Sequence, residues 1–186
     1  MIINFILRPF PTESSLPQIE ISGRVNRKDN ILSIEYQLFG DLSAIVLQTG
    51  FANEIAPPAS LPSRQFHLWE ATCFEFFIGI PGDRNYWEFN LSPSGDWNVF
   101  AFDDYRQGLR NETAFTSLPF KVDRYPNYIT LNLDVDLSEI ILLEQDLEMA
   151  VTTVIKSSQN QLSYWAITHS GKEADFHLRD SFIINA

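Results

Sequence analysis

The sequence is poor in cysteine and in basic residues. Cys73 is the single cysteine among 186 residues, so no intramolecular disulfide can form and a cysteine-rich zinc site is excluded. It lies within the aromatic run ATCFEFF, where a buried, inert thiol is expected rather than a nucleophile. Only 13 Lys and Arg oppose 24 Asp and Glu, which gives a net charge of −11. Such a charge repels nucleic acid and anionic membrane surfaces, so neither is expected as a partner.

Signatures of catalysis and of membrane insertion are also missing. There is no Gly-x-Ser-x-Gly elbow, no phosphate-binding glycine loop and no His-Glu-x-x-His helix. The apolar start, MIINFILRPFP, is too short to span a bilayer. It also lacks the basic region and cleavage site of a secretory signal. We therefore expect a first strand there, a cytoplasmic location and no enzyme activity.

Aromatic residues, by contrast, are plentiful. Hydrophobic residues make up 45% of the chain, with 15 Phe, 6 Tyr and 4 Trp, which is enough for one core. A single domain over residues 1–186 is expected at this length. Alternation of apolar and polar residues between turn signals favours strands. The predicted strands are Ile2–Leu7, Ile19–Asn26, Ile31–Leu38, Thr72–Ile80, Tyr86–Leu91, Trp97–Asp103, Tyr128–Asp134, Leu147–Lys156, Ser163–Thr168 and Ser181–Asn185.

Turn signals separate these strands and leave little room for helix. Asp29-Asn30 is the predicted turn between the second and third strands, and Ser92–Gly95 has the Ser-Pro-x-Gly pattern of a type I turn. One or two short helical turns are expected, at Tyr105–Gly108 and Leu137–Leu143. The proline-rich segment Gly50–Gln65 is a predicted loop. Many short strands predict an all-β fold, an antiparallel β-sandwich.

Polar and aromatic residues alternate in the central strands, where positions i and i+2 share a face. One face carries the predicted core residues Phe74, Phe76, Phe89 and Leu91. The other face gathers Glu75, Glu88 and Asn90 among aromatic residues. Pyranose C–H faces pack on aromatic rings, and carboxylates and amides bind sugar hydroxyls. The pattern suits a carbohydrate site, although solvated strand residues would give the same alternation and both interpretations stay open.

Three segments together resemble the DOMON-like sandwich proteins. They are LWEATCFEFFIGI, YWEFNLSPSGDWNVFAFDDYRQG and SYWAITHSGKEADFH. The same segments are similar, more remotely, to the family-nine carbohydrate-binding modules. The resemblance covers mainly Leu68–Gly108 and Ser163–His177. It implies an immunoglobulin-like or jelly-roll β-sandwich that binds a small ligand, most simply a sugar or glycan end, on a concave sheet face without transforming it.

The resemblance also implies a set of ligand-binding residues. In the sugar-binding relatives, an aromatic residue shortly before a glutamate pairs with a late aromatic residue to clamp the sugar. Trp69, followed by Glu75, matches the first position, and Trp165 matches the second. Glu88 and Asn90 correspond to polar side chains on the adjoining strand, with two histidines at the rim. The expected ligand site therefore comprises Trp69, Glu75, Glu88, Asn90, Trp165, His169 and His177.

Haem and protein binding are two further hypotheses. Some DOMON relatives bind haem through methionine and histidine. Here Met149 lies on a predicted strand, where a core position is the simpler interpretation, and no Cys-x-x-Cys-His motif occurs. Alternatively, an exposed sheet edge could bind another protein. The oligomeric state is left open by the sequence.

No metal or other cofactor is expected from the remaining ionisable residues. His169 and His177 flank a loop, and their spacing is not that of a metal motif, even if His67 were a third ligand. The acidic stretch DVDLSE lacks the glycine and spacing of a Ca²⁺ loop, and Asp136 is better explained as a cap. Arg106 could reach a ligand, but pairing with a neighbouring aspartate of DDYRQG is the favoured prediction.

Overall fold

The computed structural model describes residues 2–11, 16–47 and 62–186. Most of the predicted loop Gly50–Gln65 therefore lies outside the described residues. The described part contains twelve strands and three short 3-10 helices. In chain order they are β1 (Ile2–Pro9), β2 (Ile19–Lys28), β3 (Ile31–Gly40), η1 (Leu42–Ala44), η2 (Leu68–Glu70), β4 (Cys73–Gly79), β5 (Tyr86–Leu91), β6 (Trp97–Phe102), β7 (Arg110–Asn111), β8 (Phe120–Arg124), β9 (Tyr128–Asp136), β10 (Glu148–Lys156), β11 (Leu162–Ala166), η3 (Arg179–Ser181) and β12 (Ile184–Asn185).

The strands form two antiparallel sheets that are joined at β1. The first sheet has the order β1-β2-β3-β9-β8, and the second has the order β7-β6-β5-β4-β10-β11, with β12 beside β10. β1 contributes to both, because Ile2–Leu7 pair with β2 while Arg8 and Pro9 pair with β11. The curled antiparallel arrangement confirms the predicted all-β sandwich.

The main core lies between the two sheets. β3 shows the alternation expected of a sheet with one covered face, since Leu32, Ile34, Tyr36 and Leu38 are buried and their neighbours are more exposed. Phe74 and Phe76 of β4 face this core, as the alternation predicted. The Tyr36 hydroxyl donates a hydrogen bond of 2.6 Å to the backbone carbonyl of Glu75, which links the two sheets directly.

The second sheet is covered on its outer face as well. Every residue of β4, β5 and β6 is buried, which a sheet with one solvated face would not show. A second apolar cluster covers that face and contains Phe77, Tyr86, Phe100, Phe102, Phe176 and Phe182. Its last two members come from the segment after β11, which folds back over the sheet. This covered face holds the candidate site.

The predicted turns are confirmed, and the few short helical turns are present as expected, although the 3-10 helices do not lie at the predicted positions. Asp29 adopts a positive φ of 56° in the turn between β2 and β3, and Gly95 donates its backbone N–H to the Ser92 carbonyl at 2.9 Å. Tyr105–Gly108 and Leu137–Leu143 are turns, and the 3-10 helices of the described ranges lie elsewhere. Asp136 accepts a hydrogen bond from the Ser138 backbone, the local role that was expected.

Candidate functional site

A cavity of about 470 Å³ opens on the outer face of the second sheet. Trp69, Phe77, Phe102, Tyr164 and Phe176 line it with aromatic rings, here called the aromatic wall. Glu70, Glu75, Glu88, Arg106 and His177 add ionisable groups. The cavity thus combines extensive apolar surface with a few converging polar groups, the usual make-up of a small-molecule site.

Register between β4 and β5 brings two carboxyl groups together at the base of the cavity. Glu75 lies opposite Asn90, and Phe77 lies opposite Glu88, so the two glutamates are diagonal neighbours on one face. Glu75 is 2% exposed and Glu88 is 6% exposed. We call these two residues the carboxyl pair. The two glutamates share a face because side chains alternate between the two faces along each strand. The other residues of these strands are mostly apolar.

Glu75 has an oxygen without a partner. Among the described residues, no group forms a hydrogen bond with its buried Oε1 atom. Burial, and then repulsion by Glu88, raise the pKa of the Glu75 carboxyl well above its usual range. The surroundings of Glu75 therefore favour its uncharged form, and its Oε1 atom is an unsatisfied acceptor in a residue that lines the cavity.

The Glu88 carboxyl group, in contrast to Glu75 Oε1, accepts a hydrogen bond from a neighbouring side chain. The Asn90 side-chain amide donates a hydrogen bond of 2.7 Å to Glu88 Oε1. Burial raises the pKa of Glu88 to about 7, although the hydrogen bond from Asn90 and the positive charge of Arg106 act in the opposite direction. The carboxyl pair therefore changes its charge near neutral pH.

A hydrogen-bonded chain fixes the orientation of His177. The backbone N–H of Arg106 donates to the Tyr86 hydroxyl at 3.1 Å, and that hydroxyl lies 2.8 Å from His177 Nδ1. Burial lowers the pKa of His177 to about 4, so its imidazole is neutral at pH 7. The Tyr86 hydroxyl then donates to Nδ1, which leaves the proton on Nε2, 3.8 Å from Glu88 Oε2.

Asp175 ties together two loops beside the cavity. Its carboxylate accepts hydrogen bonds from the Tyr105 hydroxyl, the Arg106 guanidinium at 2.9 Å and the His177 backbone at 3.0 Å. Partial burial raises the pKa of Asp175, but these hydrogen bonds outweigh burial and lower it overall. Arg106 consequently pairs with Asp175 and not with the adjacent aspartates, which pair with Arg84 and Arg110.

The structure brings four of the seven expected site residues to the cavity. These are Trp69, Glu75, Glu88 and His177. Asn90 is fully buried behind them and acts through its hydrogen bond to Glu88. Trp69 is half-buried, with its ring 5.7 Å from that of Phe100.

Trp165 does not line this cavity, which corrects the expected clamp with Trp69. It is 5% exposed and belongs to the main core between the sheets, where its indole N–H donates to Ser163 at 3.0 Å. Because successive residues of a strand face opposite sides, the preceding residue, Tyr164, is the one that lines the cavity.

His169 is also outside the cavity lining. Its Nε2 atom lies 2.9 Å from the Arg8 backbone carbonyl, and its ring centroid lies 5.1 Å from that of Phe10. His169 thus holds the end of β1 against the segment that follows β11.

Several lining residues were not predicted. Tyr164, Phe102 and Arg106 lie in segments that carry the family resemblance, and strand alternation alone could have identified Tyr164 as the outward neighbour of Trp165. Phe176 comes from an irregular segment, where no periodic signal indicates direction.

Among the described residues that line the cavity, there is neither a metal-binding cluster nor the methionine that the haem hypothesis would require. The described ranges contain no group of three or more His, Cys, Asp or Glu residues that could hold a metal ion. Met149 is fully buried in the main core, away from His177. The fold therefore places Met149 in the core, which was the simpler of its two interpretations.

Solved structures with similar folds include carbohydrate-binding proteins. A Bacteroides uniformis protein, described provisionally as carbohydrate-binding, matches with a TM-score of 0.59 and 12% identity over 96% of this chain and 84% of that protein. A family-nine carbohydrate-binding module from Caldicellulosiruptor kristjanssonii was solved with glucose and with cellotriose. The similarity gives TM-scores of 0.54 and 0.55 at 11% identity, over 92% of this chain and 78% and 75% of those chains. The comparison establishes a shared fold, and the DOMON-like part of the resemblance stays a prediction.

Sequence comparison gives no family. No protein-family model matches the chain. A curated protein from Thermodesulfovibrio yellowstonii, NADH-quinone oxidoreductase subunit N 2, is 27% identical over 157 residues, which is 78% of this chain and 34% of that protein. The chain therefore spans about a third of the length of this relative. Within the described ranges, no helix has the length and apolarity needed to cross a membrane.

Proposed function

We propose that this protein binds a sugar, either a free monosaccharide or the end of a glycan, in the cavity of the second sheet. The observation that carries the proposal is the buried carboxyl pair beneath an aromatic wall. Rings can pack against the C–H faces of a pyranose, and Glu75 Oε1 offers a hydrogen-bond acceptor that the described residues leave unsatisfied.

The volume of the cavity and the fixed positions of its polar groups favour the binding of a small ligand. A volume of about 470 Å³ falls within the range of roughly 300–1,000 Å³ that is usual for small-molecule sites. The carboxyl pair lies on adjacent, fully buried strands, and His177 is held by Tyr86 and by Asp175. A site whose polar groups are fixed before binding loses less side-chain entropy when a ligand arrives.

The solved relatives support the same ligand class. Two of the structures with this fold are modules bound to glucose and cellotriose, and a third protein is described provisionally as carbohydrate-binding. The expected absence of catalysis also belongs to the proposal. Glycoside hydrolysis uses two carboxyl groups that flank the scissile bond. Glu75 and Glu88 lie on one face of one sheet, and such a pair of acidic strand residues does not by itself indicate hydrolysis.

Calorimetric titration with mono- and disaccharides, with tryptophan fluorescence followed in parallel, tests the proposal. We expect saturable heat and a fluorescence change, because Trp69 is half-buried at the cavity. Replacing Trp69 by alanine should weaken binding by about 1–3 kcal/mol, since an aromatic ring that packs on the sugar is lost.

The matched control is Tyr125→Ala, which removes an exposed aromatic ring outside the cavity lining. This variant should bind sugars as the parent does. If none of the sugars at millimolar concentration produced heat or a fluorescence change, that result would contradict the proposed function. Equal affinity of Trp69→Ala and the parent would contradict the assigned stacking role of Trp69.

A further inference from the structure

The cavity contains two buried acidic groups, and no Arg or Lys among the described residues forms an ion pair with either of them. Arg106 is the single Arg or Lys among the described lining residues, and its guanidinium is paired with Asp175 at 2.9 Å. His177 is neutral at pH 7 because burial lowers its pKa to about 4. Glu70, the remaining charged lining residue, is a further acid.

Of the described groups around the carboxyl pair, those from β4, β5 and the first sheet are not cations. From β4 and β5, the neighbours are the Cys73 thiol and the Tyr86 phenol, whose pKa values are raised by burial. From the first sheet, the Tyr36 hydroxyl contacts the Glu75 backbone carbonyl and not its carboxyl group. On the remaining sides lie Tyr164, Arg106, Asp175, His177 and Glu70. Lys156 approaches η2, where its Nζ donates to the Glu70 carbonyl at 3.3 Å.

We propose that the preferred ligand is an amino sugar, whose ammonium group binds between Glu75 and Glu88. This inference rests on the proposed function and names the sugar class. An ammonium group supplies three N–H donors and one positive charge. It can therefore donate to Glu75 Oε1, which has no partner among the described residues, and to Glu88 Oε2, and it adds a positive charge beside the two carboxyl groups.

The aromatic wall suits the same ligand. Trp69 and Tyr164 present half-buried rings at the cavity, and ring faces attract cations as well as the C–H faces of sugars. A neutral sugar can use the rings and hydroxyl contacts alone. An amino sugar adds an ion pair in a site with little solvent, where charge interactions are poorly screened.

Ammonium binding requires ionised carboxyl groups, so it releases protons. The pKa of Glu88 is about 7 in the free protein, which means that a bound ammonium group must displace a proton at lower pH. Affinity for an amino sugar should therefore rise between pH 5 and pH 7, by up to about tenfold per pH unit for each proton released. Affinity for a neutral sugar should not rise over this range.

The experiment compares glucose, 2-amino-2-deoxyglucose, 6-amino-6-deoxyglucose and 2-acetamido-2-deoxyglucose by calorimetry at pH 5, 6 and 7. Two buffers with different ionisation enthalpies reveal proton release directly. We expect at least one amino sugar to bind tenfold or more tightly than glucose at pH 7, with proton release. Acetylation of the amine should abolish the preference, because it removes the positive charge.

Charge-neutral variants test the assignment of the carboxyl pair. Glu88→Gln and Glu75→Gln keep the side-chain shape and a hydrogen-bonding group but cannot ionise, so each should remove most of the preference for the amino sugar over glucose. Glu139→Gln, the same substitution at an exposed residue outside the cavity lining, should keep that preference.

The outcomes separate the two proposals. Glucose binding as tight as that of both amino sugars, without proton release, would overturn the amino-sugar inference and leave the proposed function standing. Binding of ethanolamine with no response to any sugar would overturn the proposed function and this inference together.

Discussion

The folded state disfavours the ionised form of the Glu88 carboxyl group, which is the form that predominates at high pH. Its ordinary pKa of 4.5 rises to about 7 because the side chain is buried, and Asn90 offsets this only in part. The folded state therefore binds more protons than the unfolded state between pH 4.5 and pH 7. By linkage, the contribution of Glu88 to stability falls as pH rises through this window.

Replacing Glu88 by glutamine removes this dependence. We expect the free energy of unfolding of Glu88→Gln, relative to the parent, to increase between pH 5 and pH 8 by at most about 3 kcal/mol. Urea unfolding at the two pH values measures it. His177 is present in both proteins, so its own titration contributes to both curves.

Glu139→Gln serves as the control, because it is the same substitution at an exposed residue. Parallel curves for Glu88→Gln and the parent from pH 5 to pH 8 would show that burial does not raise the Glu88 pKa.

The positions of the neighbouring residues Tyr164 and Trp165 in β11 show how far the role of a single residue can be predicted from the sequence. Family resemblance selected Trp165, the later tryptophan, as the second half of a clamp. Strand geometry instead places Trp165 in the core with Ser163 and leaves Tyr164 outward. Both faces of this strand are partly covered, so composition alone does not distinguish the core face from the ligand face.

At the level of elements, β4 to β6 could be predicted almost to the residue. Their aromatic and β-branched residues alternate with few polar ones between clear turns, and β5 (Tyr86–Leu91) matches its predicted bounds. β8 was not predicted because it is an edge strand, Phe120–Arg124, with no fully buried position. Its Lys, Asp and Arg residues suit a sheet edge, and they leave no apolar period to detect.

The loop that follows β6 depends on contacts that no local pattern reveals. Arg106 and Asp175 are 69 residues apart in the chain, and their ion pair joins this loop to the segment after β11. Asp175 also contacts Tyr105 and the backbone of His177. Sequence reasoning favoured a local partner for Arg106, because nearby aspartates are visible in the sequence and distant ones are not.

Replacing Asp175 by asparagine should loosen both segments. We expect faster amide hydrogen exchange in residues 104–109 and 174–178, since the ion pair and the charge-assisted hydrogen bonds are lost. Sugar affinity should fall by roughly threefold to tenfold, because His177 and Arg106 are less well ordered before binding. Hydrogen exchange by mass spectrometry and calorimetry measure the two effects.

Asp123→Asn is the matched control, since Asp123 pairs with Lys121 in β8, outside the cavity lining. It should leave exchange at residues 104–109 and sugar affinity unchanged. Unaltered exchange in Asp175→Asn would show that the ion pair does not hold the loop.

At the scale of the whole molecule, the site depends on how the two sheets are joined. β1 pairs with the first sheet over most of its length and with the second sheet at Arg8 and Pro9. Tyr36, from the first sheet, crosses the core and donates to the Glu75 carbonyl at 2.6 Å. Its ring also packs against Phe5 and Phe74, with centroids 5.5 Å and 5.1 Å away. The backbone beneath the carboxyl pair is therefore held from the opposite sheet.

Tyr36→Phe isolates this connection, because it removes one hydroxyl and keeps the ring in place. We expect a loss of about 1–2 kcal/mol in the free energy of unfolding, the usual effect of deleting a buried hydrogen bond whose partner is left unpaired. The dependence of that free energy on urea concentration should stay the same, since the surface exposed on unfolding does not change. Tyr125→Phe, at an exposed position, should match the parent within about 0.5 kcal/mol. Equal stability of Tyr36→Phe and the parent would show that ring packing alone joins the sheets at this point, and that the hydroxyl contributes nothing to holding β4 beneath the cavity.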